Sequence, residues 1–217
     1  VAPSSLTIVV PFRGELATTM AFLDSLGAHE PLVLVDDHTP DASVASALRA
    51  LGHPVIRPPV RPYFNGALRY AIENCATPYL GVLNNDLILP AGFVESALAA
   101  FDGWDILVPN THPEPGFTGV DHLCRQEGWC MLMRAAAVRR LPPVPRTLRI
   151  WYGDTWIFHH AWEAGLRVGK IGSLTIRHEL SHTIRAQAAE IKPVVDEDIR
   201  AAQPYRLRAT REYPREP

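Results

Sequence analysis

Two rhythms of apolar and polar positions take turns along this chain. Leu6 to Pro11 (LTIVVP) is a short β-branched apolar run, and Leu16, Met20, Leu23 and Leu26 follow at helical spacing within Glu15 to Leu26. That is a strand and then a helix. Pro31 to Val35 predicts a second strand, followed by a helix capped by Asp41 and running through Leu51. Val55-Ile56 makes a short third strand, and Phe64, Leu68, Ala71, Ile72 and Cys75 line one face of a helix over Tyr63 to Cys75. Tyr79 to Leu83 predicts the fourth strand, with a helix over Ala91 to Phe101. Beyond it the pattern predicts strands at Asp105 to Val108, Gly128 to Arg134 and Leu174 to Ile176, and helices at Asp154 to Ala164 and Glu190 to Ala202.

Regular alternation of this kind predicts a parallel α/β sheet, whose ligands bind beyond the carboxyl ends of the strands. Polar residues cluster at three of those ends: Arg13, then Asp36-Asp37, then Asn84-Asn85-Asp86. They are expected to converge on one crevice.

Length and composition add bounds. At 217 residues the chain suits one domain, and it holds no apolar run near the ~20 residues that span a bilayer. Val1 to Ser5 has no basic start or apolar stretch, so a cytoplasmic location is expected. The three cysteines, Cys75, Cys124 and Cys130, form neither a CxxC pair nor an even set, which fits buried thiols in a reducing compartment. Net charge is −2, yet Arg134 to Arg149 holds five arginines and no acid, and residues 200–217 hold five arginines against two glutamates. Such stretches suit an anionic acceptor such as a lipid phosphate, a phosphorylated glycan or a nucleic acid, or else an ordinary solvated face. The end from Tyr205 reads as partly disordered.

One motif points elsewhere. His178-Glu179-Leu180-Ser181-His182 matches the HExxH pattern of zinc peptidases, which needs both histidines on one face of a helix. Leu174-Thr175-Ile176 just upstream alternates like a strand, and no Gly-x-x-His follows, although Glu190 or Glu197 offers a further ligand. The alternatives are packing histidines at a strand end, or His178 sharing a metal with Asp86 across the crevice.

In order along the chain, Leu6 to Phe12, Leu34 to Asp41, Asn65-Gly66-Ala67 and Leu83 to Asp86 resemble the nucleotide-sugar domain of inverting family 2 glycosyltransferases of the GT-A fold. Gly128 to Arg134, Tyr152 to Trp156 and Ala164 to Val168 resemble its acceptor half, so the resemblance covers residues 6 to about 183. It implies a GT-A-like, Rossmann-like mixed sheet flanked by helices in a single domain. Residues 1–108 would form the nucleotide-sugar-binding half, 109–183 the acceptor-binding and catalytic half, and 184–217 a C-terminal helix and Arg-rich tail.

The resemblance also implies roles. Asp86 matches the last acid of the family's DxD motif and, with His178, would hold Mg²⁺ or Mn²⁺ against the donor's phosphates. The first acid of that motif is Asn84 here, which adds no charge. Pro11, Phe12, Arg13, Asp36, Asp37, Arg61, Asn65, Asn84 and Asn85 would bind the nucleotide sugar. Asp154 would be the general base, with Glu163 and Glu127 as substitutes, and Gly153 stands where the family often has a second acid. Gly128, Trp129, Trp151, Trp156 and His182 would contact the acceptor or sugar. The expected activity is metal-dependent inverting glycosyl transfer from a nucleotide diphosphate sugar to an acceptor hydroxyl. The competing readings are a nucleotide-sugar-binding protein without catalysis and, more remotely, a zinc metallopeptidase.

Overall fold

The computed structural model describes residues 5–14, 16–112, 117, 119–122, 128–178 and 188–210. The first half alternates as its pattern predicts: β1 (Leu6–Phe12), α1 (Leu16–Leu26), β2 (Leu32–Asp36), α2 (Ala42–Ala50), β3 (Val55–Ile56), α3 (Tyr63–Asn74) and β4 (Tyr79–Leu83). Asp41 caps α2 by accepting the Ser43 N–H at 2.9 Å. Next come β5 (Leu87–Ile88), α4 (Phe93–Ala99), β6 (Ile106–Asn110), β7 (Val120–His122), β8 (Cys130–Arg134) and α5 (Ala135–Val138). The chain then forms α6 (Gly153–Glu163), β9 (Val168–Thr175), β10 (Arg177–His178) and α7 (Ala188–Ala202).

Eight strands share one sheet in the order β3-β2-β1-β4-β8-β6-β9-β7. The first four run parallel, while β8 lies antiparallel between β4 and β6. Strand β9 returns parallel beside β6, and β7 closes the edge antiparallel to β9. The sheet is therefore mixed, and both of its faces are buried. Val9, Val82, Met131 and Met133 face one core with helices α3 and α6, whereas Ile8, Val10, Leu83 and Leu132 face the other with α1, α2 and α4. Double burial explains the near-continuous apolar run of β1. No helix among the described residues is long and apolar enough to cross a membrane.

Three features depart from the pattern. Strand β9 begins at Val168, six residues before the expected Leu174, because Gly169, Lys170 and Gly172 interrupt the apolar signal that pairing with β6 makes unnecessary. Strand β7 is an exposed edge strand with polar positions at Asp121 and His122. The two-residue ribbon of β5 and β10 is too short to leave any periodicity, yet it decides where His178 goes.

Candidate active site

A cavity of about 540 Å³ opens beyond the carboxyl ends of β1, β2 and β4, within the size range of small-molecule sites. Pro11, Phe12 and Arg13 at the end of β1 line one side with Asp37, Arg61 and Tyr63. Arg61 donates from Nε at 3.1 Å and Nη2 at 3.0 Å to Asp37 Oδ2, and the Tyr63 N–H donates to Oδ1 at 2.7 Å. Burial nevertheless holds the Asp37 carboxyl above its ordinary value, with the Arg61 and Tyr63 bonds opposing. Arg13 donates to the Asp37 carbonyl at 2.9 Å and forks onto both oxygens of Glu190 at 2.9 and 3.0 Å. Arg61 also pairs with Glu190, so a carboxylate of α7 joins two cavity arginines.

The adjacent acids part company here. Asp36 is fully buried, accepts the Thr39 N–H at 2.7 Å and the Arg57 guanidinium at 2.8 Å, and does not line the cavity. Its expected nucleotide contact gives way to bracing the loop after β2. Asn65 is corrected similarly: it is fully buried behind the cavity and donates to the Trp151 carbonyl at 2.9 Å.

At the end of β4, Asn84, Asn85 and Asp86 line the cavity. The Asn85 side chain turns away and donates to Thr19 Oγ1 at 3.0 Å, so any ligand contact falls to its backbone. Antiparallel pairing sets His178 opposite Leu87, the residue after Asp86. That register brings His178 Nε2 within 3.3 Å of Asp86 Oδ1, both side chains being nearly buried. Despite the proximity, Asp86 Oδ1 and both His178 nitrogens have no hydrogen-bond partner among the described residues. Buried polar atoms without partners are costly, and a cation's ligands have this character. The pair therefore has the chemistry to supply two ligands to a divalent ion. No cluster of three or more His, Cys, Asp or Glu able to hold a metal occurs among the described residues. Trp129 lies over His178 with ring centroids 5.5 Å apart and planes at 33°. Because His178 stands on a strand, it lacks the helical setting that HExxH requires. Glu179 and His182 lie outside the described residues, as do Glu127 and Cys124.

Asp154 enters from the opposite side, in the first turn of α6. Desolvation raises its carboxyl above the ordinary value, opposed by the Thr155 N–H at 2.7 Å and the Thr155 hydroxyl at 3.3 Å. One glycine makes room for Asp154 and a second makes room for Asn65. A Cβ on Gly128 would overlap the Asp154 carboxylate, and one on Gly153 would overlap Asn65 Oδ1. The absence of a second acid at 153 thus has a packing cause. Tyr63 and Tyr152, both lining the cavity, hold left-handed backbone at φ 51° and 63°. Such conformations concentrate where surrounding structure fixes a site.

Of the tryptophans, Trp129 and Trp151 line the cavity, and Trp151 is 45% exposed at its rim. Trp156 is core instead: it is buried, and its Nε1 donates to the Pro142 carbonyl at 2.8 Å. Glu163 faces Arg208 at 3.6 Å away from the cavity, so it is displaced as a substitute base. Part of the expected basic surface is spent within the fold, while Arg140, Arg146, Arg200 and Arg206 stay exposed. Arg134 donates to the Trp104 and Phe101 carbonyls, Arg139 to those of Ile72 and Cys75, and Arg149 pairs with Glu197. Cys75 and Cys130 are buried free thiols, and burial pushes Cys130 far up, which removes it as a nucleophile. Tyr63, Tyr152 and Ile191 are contributors that sequence reasoning missed, and Glu190, weighed only as a peptidase metal ligand, instead pairs with the cavity arginines. A Tyr beside Arg61-Pro62 carries no turn signal, and α7 is distant in sequence from everything it meets.

The family model described as Glycosyl transferase family 2 matches residues 7–167. No curated protein sequence is matched. Among solved structures, GalNAc-T7 with UDP, GalNAc and Mn²⁺ superposes with a TM-score of 0.68 at 13% identity, covering 80% of this chain and 42% of that one. This chain thus spans less than half of that protein's length. The mannosyltransferase PcManGT from Pyrobaculum calidifontis, in complex with GDP-Man and Mn²⁺, gives 0.63 at 14% identity, covering 94% and 67%. Glucosyl-3-phosphoglycerate synthase from Mycobacterium tuberculosis, with Mn²⁺, UDP and glucosyl-3-phosphoglycerate, gives 0.64 at 16%, covering 88% and 77%. At these identities the likeness establishes the fold, which is GT-A.

Proposed function

Because the chain belongs to glycosyl transferase family 2, we propose that it transfers a sugar from a nucleoside diphosphate donor to an acceptor hydroxyl, inverting the anomeric carbon. The observation that carries this reading is the convergence of Asp37, the unpartnered Asp86–His178 pair and Asp154 on one cavity. Pro11, Phe12, Arg13, Asp37 and Arg61 would hold the base and ribose, with Asn84 near the phosphates. Residues 1–108 would supply these groups, and 109–183 the acceptor side. Asp86 and His178 would bind Mg²⁺ or Mn²⁺, which when bound supplies positive charge to the departing diphosphate. Mn²⁺ accompanies the nucleotide in the related structures.

The chain's own contribution is proton management and orientation. Asp154 accepts the proton of the acceptor hydroxyl as that oxygen attacks opposite the leaving group. Desolvation makes its carboxylate the stronger base, while Thr155 and the amino end of α6 act in the opposite direction, favouring the ionised form. Trp129 and Trp151 offer aromatic faces to sugar C–H surfaces.

A thermal-shift series with UDP-, GDP-, dTDP- and CDP-sugars, with and without Mn²⁺, tests the reading. One donor raising the melting point only with the cation, and released sugar in the same mixture, is expected. Stabilisation without turnover by any acceptor or water would instead support a binding protein. Zinc-dependent peptide cleavage would overturn both.

A further inference from the structure

We infer that Asp198, on α7 and beyond the family-matched stretch, is a positioning residue for the transfer reaction: its carboxylate holds the 149–151 backbone in the shape that presents Trp151 and Asp154 to the cavity. The inference rests on Asp154 acting as the base.

The sequence of α7 already marks Asp198 as unusual. The helix buries Ile191, Val194, Asp198 and Ala202, so an acid occupies a place in its apolar stripe. A buried carboxylate is tolerated only where its charge is met. Here three consecutive backbone N–H groups meet it: Arg149 donates to Oδ1 at 3.0 Å, and Ile150 and Trp151 donate to Oδ2 at 2.7 and 2.9 Å. Successive amides converging on one anion form a nest, and hydrogen bonds to a charged acceptor are about twice as strong as neutral ones. The Arg149 guanidinium adds a cation with its Nε 3.9 Å away.

The same loop is gripped from its other side. Asn65 donates its backbone N–H to the Arg149 carbonyl and its side-chain amide to the Trp151 carbonyl, each at 2.9 Å. With both edges taken, Tyr152 turns left-handed at φ 63° and α6 begins at Gly153, one residue before Asp154. Asp198 does not line the cavity and acts through this loop.

A displaced base lowers the rate of the chemical step without altering how the nucleotide is held, and a shift near 1 Å costs about 100-fold. The full chain carrying Asp198→Asn or Asp198→Glu is compared with wild type using UDP-glucose and GDP-mannose with Mn²⁺. Calorimetry reads the Kd of the nucleotide alone, UDP or GDP with Mn²⁺, and nucleotide release from the donor reads kcat. Expected is a kcat loss of about 30- to 100-fold in Asp198→Asn, with Kd within about twofold and partial recovery in Asp198→Glu. A folded Asp198→Asn with kcat within about threefold of wild type overturns the proposal, as does a parallel loss of Kd and kcat. Should these variants not fold, Asn65→Ala loosens the opposite grip and is expected to give the same split. Amide exchange on wild type judges the clamp without turnover. The 149–151 amides should exchange at least about 100-fold slower than free loop amides, and unprotected amides overturn the proposal. A wild type that neither binds nor turns over any donor of the thermal-shift series overturns the transferase reading alone.

Discussion

On one side of the cavity Arg13, Asp37 and Asp86 follow β1, β2 and β4, three parallel strands locked in register. On the other side Trp151 and Asp154 ride a loop and a helix start, gripped by an acid of α7 and an amide of α3. The first side inherits its geometry from a sheet buried on both faces. The second obtains it from a few hydrogen bonds between buried polar groups and one loop, and so it has less tolerance for change.

Asp154→Asn probes that contrast with the largest effect. Removal of a general base is expected to lower kcat by about 10²- to 10⁴-fold, measured as nucleotide release under saturating donor. The wild-type rate should rise with pH through a value above the ordinary aspartate range, because desolvation raises this group. Stability runs the opposite way. A folded-state pKa above the unfolded value means that the folded chain holds the extra proton between the two, so stability falls as pH rises through that window. Asp154→Asn removes this cost and should melt higher than wild type at neutral pH, with the difference vanishing near about pH 3.

Asp86→Ala, on the strand-anchored side, should abolish the response to Mn²⁺ and cut turnover by about 100-fold while the fold persists. Unaltered metal dependence would remove the Asp86–His178 pair from the site. Gly153→Asp tests the tight side through folding: the new side chain meets Asn65, and urea unfolding should show a loss of about 1–3 kcal/mol. An unchanged midpoint would mean that the acceptor side has the slack denied to it above. Smallest is Glu190→Gln. Its carboxylate is half exposed, so nucleotide Kd should move by no more than about threefold, and less at high salt.

The same contrast governs what the chain's pattern revealed. The first four strands and the Asp41 cap were legible, since apolar runs and capping residues are local signals, whereas the approach of His178 to Asp86 was one alternative among others and otherwise followed only from the family resemblance. What stayed hidden depended on direction and distance. Asp36 and Asp37 are neighbours at a strand end, where successive side chains point to opposite sides, and only one of them reaches the cavity. Trp151 and Trp156 share a residue type, yet the turn onto α6 sends one to the rim and the other to the core. Asp198 carried a readable mark in its helical stripe, but its partner loop lies about 50 positions away and no spacing rule connects them.

Strand β8 has a consequence for how the molecule is assembled. It occupies the centre of the sheet but is synthesised after both strands it separates. Until it inserts, β4 offers bare amides and carbonyls along one flank, and pairings between distant segments are slow to form. A nascent chain released before Cys130 would carry four parallel strands with that flank open, and self-association is its expected fate.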